Sequence, residues 1–202
     1  MGRPRTFDED RVLEAACRLF WSRGYEATST EDLCTATGLT RSSLYNAFTS
    51  KEHLFRRALA RYMATMTARQ SAILDAPGTG LARLRSLLEV VVADEIANRE
   101  KGVGPGCFTV NTVTEIGESN PRVAEIVRAD LEKRLASLRL VAMEGVADGS
   151  MAAGRDPAGT AWYVNALVSG IRVSAQAGAD GAALEAIASV GLAALAARPG
   201  PD

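Results

Sequence analysis

Residues 28–48 read TSTEDLCTATGLTRSSLYNAF, two short helices with a tight turn between them. Thr28-Ser29-Thr30-Glu31 has the form of a capping box, in which the Thr28 hydroxyl covers free amides of a new helix and Glu31 reaches back. That helix carries Leu33, Cys34 and Ala36 and stops at Gly38, whose missing Cβ permits the left-handed backbone a tight turn needs. Thr40 then caps a short helix bearing Leu44 and Tyr45. Leu33, Ala36, Leu39, Leu44 and Phe48 are placed to hold the two helices together. Helix, turn and short helix in this order make a helix-turn-helix.

The front of the second short helix then presents Arg41, Ser42, Ser43, Tyr45 and Asn46, small or polar groups that fit a major groove and reach bases or phosphates. Lys51, just inside the next helix, offers a cation and backbone amides to a phosphate, and Thr28 and Ser29 stand at a helix start that can do the same. Arg3 and Arg5 form a short basic arm suited to the backbone or a minor groove, or else a plain tail. The competing reading of Arg41, Ser42 and Asn46 is a solvated helix face, and Tyr45 divides between packing and a phosphate hydrogen bond. Double-stranded operator DNA is the partner this pattern implies.

Working outward, a first helix runs from about Asp8 to Arg23 with Val12, Ala16, Leu19 and Phe20 at helical spacing, and Gly24 stops it. Ser50 caps a long helix from Lys51 towards Ile73. Ala76-Pro77-Gly78-Thr79-Gly80 breaks the chain, and a helix from about Leu81 to Asn98 follows. After the loop Gly102–Gly106 comes a short helical segment from Cys107 to about Gly117. A long helix opens at Asn120-Pro121 and repeats Val123, Val127, Leu131, Leu135, Leu138 and Ala142. Two more open at Asp156-Pro157 and Asp180. The expected fold is all-α: residues 1–50 form a DNA-binding head and residues 51–202 a larger helical body.

Composition removes other classes. The 202 residues are 47% hydrophobic and 23% charged, ordinary for a globular protein. The net charge of −1 hides an asymmetry: residues 1–65 hold ten Lys/Arg against eight Asp/Glu, and the rest is acidic. No apolar run approaches a membrane span, and the basic N-terminus precedes acidic residues, not an apolar signal core. A cytoplasmic protein without a membrane partner is expected. Three scattered cysteines and a lone histidine, His53, offer no disulfide framework, no metal set and little for acid–base catalysis. No cofactor, metal or catalytic residue is expected. A helical enzyme lacks its paired carboxylates or phosphate loop here, and a protein adaptor would expose an apolar stripe where residues 41–46 are polar.

The run from Arg11 to Ala16, Leu19-Phe20, Gly24 to Leu33, Thr37 to Thr40 and Ser43 to Leu54 resembles the DNA-binding head of the TetR family over nearly all of residues 8–60. Ser43 stands where many members carry Gly or Pro, a change expected to affect operator choice more than fold. The resemblance implies a three-helix head, a ligand-binding helical body, a dimer built by the last two helices, and in most members repression relieved by a small molecule. An activator, or a regulator without a ligand, is equally compatible with the residues.

In the body, small residues in the last two helices allow close approach, and Leu167, Ile171, Leu184, Ile187 and Leu195 supply apolar area for an isologous homodimer face or for an ordinary hairpin. Met63, Met66, Leu88, Val92, Ile96, Cys107, Phe108, Asn111 and Trp162 are candidates for a ligand pocket, though such spacing equally describes core. With few charges among them, an apolar or weakly polar effector is expected. Gly106-Cys107 with Asn111 four residues on is similar to a subset of TetR-like proteins in which this region borders the cavity. Cys107 at a helix start is a candidate electrophile or oxidant sensor, or else a small buried hydrophobe.

Overall fold

Side-chain caps mark where most of the helices begin in the computed structural model, which describes residues 7–100, 106–117 and 119–197. The Asp8 carboxylate accepts from the Asp10 and Arg11 amides and starts α1 (Glu9–Arg23), which Gly24 ends with φ of 84°. Then come α2 (Thr30–Thr37), α3 (Arg41–Phe48), α4 (Lys51–Leu74), α5 (Gly80–Glu100), α6 (Phe108–Ile116), α7 (Pro121–Ala147), α8 (Pro157–Gln176) and α9 (Gly181–Ala193). Asp156 and Asp180 cap α8 and α9, and Pro157 follows the first of these caps, where its missing N–H costs nothing. Among the described residues the fold is all helix apart from one antiparallel bridge between Met151 and Ala196. None of these helices is long and apolar enough to cross a membrane.

The chain divides into two compact units. The first takes residues up to Thr65 together with Cys107–Val127; the second takes Met66–Gly106 and residues from Arg128 on. The first unit therefore runs past the boundary expected at residue 50, because α6 and the start of α7 complete its core. That core joins Phe20, Leu33, Leu44, Phe48, Leu54, Phe55 and Leu59 to Phe108, Ile116 and Val123. Phe55 is its hub, edge-on to Phe20 and Tyr25 at 4.9 Å and to Phe108 at 5.7 Å. Burying each such side chain contributes roughly 1.5–3 kcal/mol.

The second unit packs Leu84, Leu87, Leu88 and Val91 of α5 against Val141 of α7, Val164, Val168 and Ile171 of α8, and Leu184 and Leu192 of α9. Glycines set two close approaches. A Cβ on Gly80 would stand 2.5 Å from the Gly145 Cα, so α5 meets α7 almost backbone to backbone, and one on Gly191 would strike the Leu167 side chain, which α8 lays against α9. Several polar groups inside this unit are paired. Asp130 accepts from Thr67 at 2.7 Å and from Arg134 at 3.0 Å, and Arg134 reaches Asn165 at 2.9 Å. Glu95 and Arg172, both buried, face each other at 3.8 Å. Burial pushes the Glu95 carboxyl above its ordinary value, and Arg172 pulls it back in part.

Candidate nucleic-acid interface

The helix-turn-helix is assembled from the inside. Leu33, Leu44 and Phe48 are fully buried, and Leu39 is half-buried against them. Ala36, expected in this brace, lies exposed on the other side of α2. Gly38 takes φ of 71° and ψ of 12°, the left-handed conformation expected of it, and its N–H closes α2 onto the Cys34 carbonyl. Thr40 then caps α3 by accepting from the Ser43 amide at 3.2 Å. The Tyr45 hydroxyl meets the Thr30 hydroxyl at 3.1 Å and ties α3 to α2. Thr49 ends α3 with φ of 58°, in the left-handed region a β-branched residue rarely enters. His53 stabilises that end, its Nδ1 lying 2.7 Å from the Phe48 carbonyl and 3.2 Å from the Thr49 hydroxyl.

This bracing leaves Arg41, Ser42 and Asn46 exposed together on α3. The Arg41 guanidinium stands 5.8 Å from the Tyr45 ring centroid, which orients it without covering it. Ser43 is half-buried and receives a hydrogen bond from Thr40 at 2.9 Å, so it shapes the front of α3 more than it extends from it. Thr40, exposed and within 3.1 Å of the Ser42 hydroxyl, belongs to the same polar surface. From the sequence, Thr40 is expected only as a helix cap.

Two expectations for the start of α2 change. The capping box lies one residue later: Ser29 accepts from the Asp32 amide and Asp32 accepts from the Ser29 amide. Those hydrogen bonds, the Ser29 hydroxyl first, hold the Asp32 carboxyl below its usual range. Thr28 is fully buried and donates to the Gly24 carbonyl at 2.6 Å, so its side chain cannot contact a phosphate. Ser29 remains exposed. Lys51 is partly engaged inside the unit, donating to the Thr28 carbonyl at 2.8 Å with its ammonium 4.3 Å from the Tyr25 ring centroid. Arg3 and Arg5 lie outside the described residues.

The pocket candidates fall into both units. Met63, Cys107 and Phe108 are buried in the first, where Asn111 is half-buried. Cys107 is the N-cap residue of α6, and its sulfur lies 3.8 Å from the Tyr62 hydroxyl, a position that suits a small core residue. Leu88 and Val92 belong to the core of the second unit, Met66 and Ile96 are half-buried there, and Trp162 is 54% exposed. Val92 and Ile96 share an apolar groove of about 370 Å³ with Ala188 and Leu192, rimmed by Arg85, Glu89 and Glu185. Of the residues expected on an outward dimer face, Ile171, Leu184 and Leu195 are buried in the chain's own core, while Leu167 and Ile187 are half-buried. The large apolar side chains exposed on these two helices are Trp162, Tyr163, Val173 and Val190.

Residues 12–58 match the family model described as bacterial regulatory proteins, tetR family, and residues 80–190 match the tetracyclin repressor-like C-terminal domain. The chain is 33% identical over 184 residues to the HTH-type transcriptional repressor ComR of Escherichia coli, covering 89% of this chain and 84% of that one. It is 41% identical over 64 residues, 32% of each chain, to the repressor BdcR of the same organism. A solved structure of a cysteine mutant of the regulator CifR, complexed with 26-bp double-strand operator DNA, superimposes with a TM-score of 0.83 at 31% identity, over 95% of this chain and 99% of that one.

Proposed function

The chain belongs to the TetR family of bacterial regulatory proteins, and from that premise we propose that it is a cytoplasmic, homodimeric repressor that binds a palindromic double-stranded operator and releases it when a small effector binds. The observation that carries the reading is the front of α3. Arg41, Ser42 and Asn46 are exposed side by side on a helix whose other side is fully buried, behind a left-handed glycine turn. Such a helix presents donors and acceptors to base edges in a major groove. Ser29 and Lys51 supply phosphate contacts beside it, and Arg3 and Arg5 remain candidates for the arm. Operator DNA in the CifR complex supports this assignment.

One head reads one half-site, so a palindrome needs two heads about 34–36 Å apart or a multiple of that. The outward faces of α8 and α9 support a dimer. Trp162, Ala166, Gly170 and Val173 form an exposed stripe on α8, and Ala182, Ala186 and Val190 one on α9. A Cβ on Gly170 would meet nothing within 4 Å, which leaves room there for a partner helix. An apolar or weakly polar effector would act through its different affinity for two head spacings.

Arg41→Ala tests the reading on the intergenic DNA upstream of the gene. A side chain reading a base contributes about 1–3 kcal/mol, so affinity falls by roughly ten- to a hundredfold while the circular dichroism spectrum stays native. Native affinity in this variant would refute the assignment.

A further inference from the structure

The turn between α1 and α2 is tied to α6. Past Gly24, the Tyr25 N–H donates to the Glu115 Oε2 at 2.9 Å and the Glu26 N–H to the Glu115 Oε1 at 3.0 Å. One carboxylate thus grips two consecutive amides with both its oxygens, the arrangement in which hydrogen bonds to an ionised acceptor are strongest. The fit is close. A Cβ on Gly24 would stand 2.7 and 2.9 Å from those oxygens, so position 24 needs glycine both for its positive φ and for the room Glu115 occupies. Glu115 sits in the last turn of α6, and Phe108, Thr112 and Ile116 anchor that helix in the core of the same unit.

What the turn carries faces DNA in the reading above. The Tyr25 ring packs edge-on to Phe55 and holds the Lys51 ammonium; the Thr28 carbonyl, at the end of the turn, accepts from the same ammonium. Ser29, which caps α2, follows directly. Glu115 therefore connects α6 to Lys51 and to the start of the helix-turn-helix through one short turn.

We propose that Glu115 is a positioning residue for operator binding: it pins the α1–α2 turn to α6, so that Lys51 and α2 keep their DNA-reading arrangement only while α6 is seated. The inference rests on the operator-binding reading and adds to it the residue that fixes the α1–α2 turn.

Amide hydrogen exchange and operator binding, both on the full-length protein, test it together. Glu115→Ala exposes both amides, so exchange at Tyr25 and Glu26 accelerates on the order of tenfold and operator affinity falls on the order of tenfold, as expected for lost charge-assisted bonds. The slope of log K against log salt becomes shallower, because loosening the turn weakens the phosphate contact of Lys51. Glu115→Gln keeps an acceptor for one amide and falls between the two. Gly24→Ala weakens binding more in the native background than in Glu115→Ala, where the added methyl finds space. Faster exchange with native operator affinity would overturn the role, as would an equal cost of Gly24→Ala in both backgrounds. A native protein that binds no operator would overturn the operator reading and this role with it, and the native control separates that failure from failure of the inference alone.

Discussion

Truncating Phe55 to Ala removes the hub of the first unit's aromatic cluster. The side chain is 1% exposed and makes three edge-on ring contacts, with Phe20, Tyr25 and Phe108. Phe→Ala in a core costs about 3–5 kcal/mol, from lost transfer energy and the cavity left behind. Phe55→Leu keeps most of the apolar area and loses the ring contacts, each worth about 0.5–1.5 kcal/mol, so its cost is on the order of 2 kcal/mol. The two tryptophans allow a local measurement. Trp21 packs edge-on to Tyr62 at 5.4 Å in the first unit, whereas Trp162 is exposed in the second. In a Trp162→Phe background, urea unfolding followed by tryptophan fluorescence reports the first unit. The Ala variant should lose its full cost in that transition and the Leu variant about half. A loss below about 1 kcal/mol for Ala, or equal losses for Ala and Leu, would refute the view that this cluster holds the head together.

Further expectations concern caps and buried charge. Ser29→Ala should destabilise the first unit by about 1 kcal/mol, seen as a lower urea midpoint. Asp32 has a depressed folded-state pKa, so its contribution is present above the ordinary aspartate value of about 4 and is lost as pH falls through the lower folded value. The native protein should therefore lose stability more steeply than Ser29→Ala in that acid window, and parallel pH profiles would contradict the capping assignment. Arg172→Met leaves Glu95 buried without its countercharge and should cost about 3–5 kcal/mol, roughly 6–20 °C in Tm for a chain of this size. Glu95→Leu combined with Arg172→Met should recover most of that loss, and a double variant no better than the single would count against the pair.

The head was legible because its signals are local. Gly38, Thr40 and the spacing of Leu33, Leu44 and Phe48 each fix one feature of one turn, and all point to the same helix-turn-helix. The α2 cap was one residue off because Thr28 and Ser29 are both capping residues with an acid three positions on. The choice falls to Ser29 once the Gly24 carbonyl takes the Thr28 hydroxyl, a contact across the turn that spacing does not reveal. The boundary at residue 50 missed α6 because Phe108, Ile116 and Val123 join the first core across a long stretch of sequence. Glu115 reads as an ordinary solvated acid until Gly24 is set beside it. On α8 and α9 both faces are apolar, so periodicity could not separate the inward Ile171 and Leu184 from the outward Val173 and Val190.

The central claim is that this chain reads a palindromic operator through α3, and binding of the purified protein to the intergenic DNA beside its gene, titrated with salt, tests it most directly. The account predicts tight binding to one palindromic segment, two protomers to each site, with affinity falling steeply as salt rises. Binding no stronger than to random-sequence DNA, from protein confirmed free of any co-purified ligand, would contradict it.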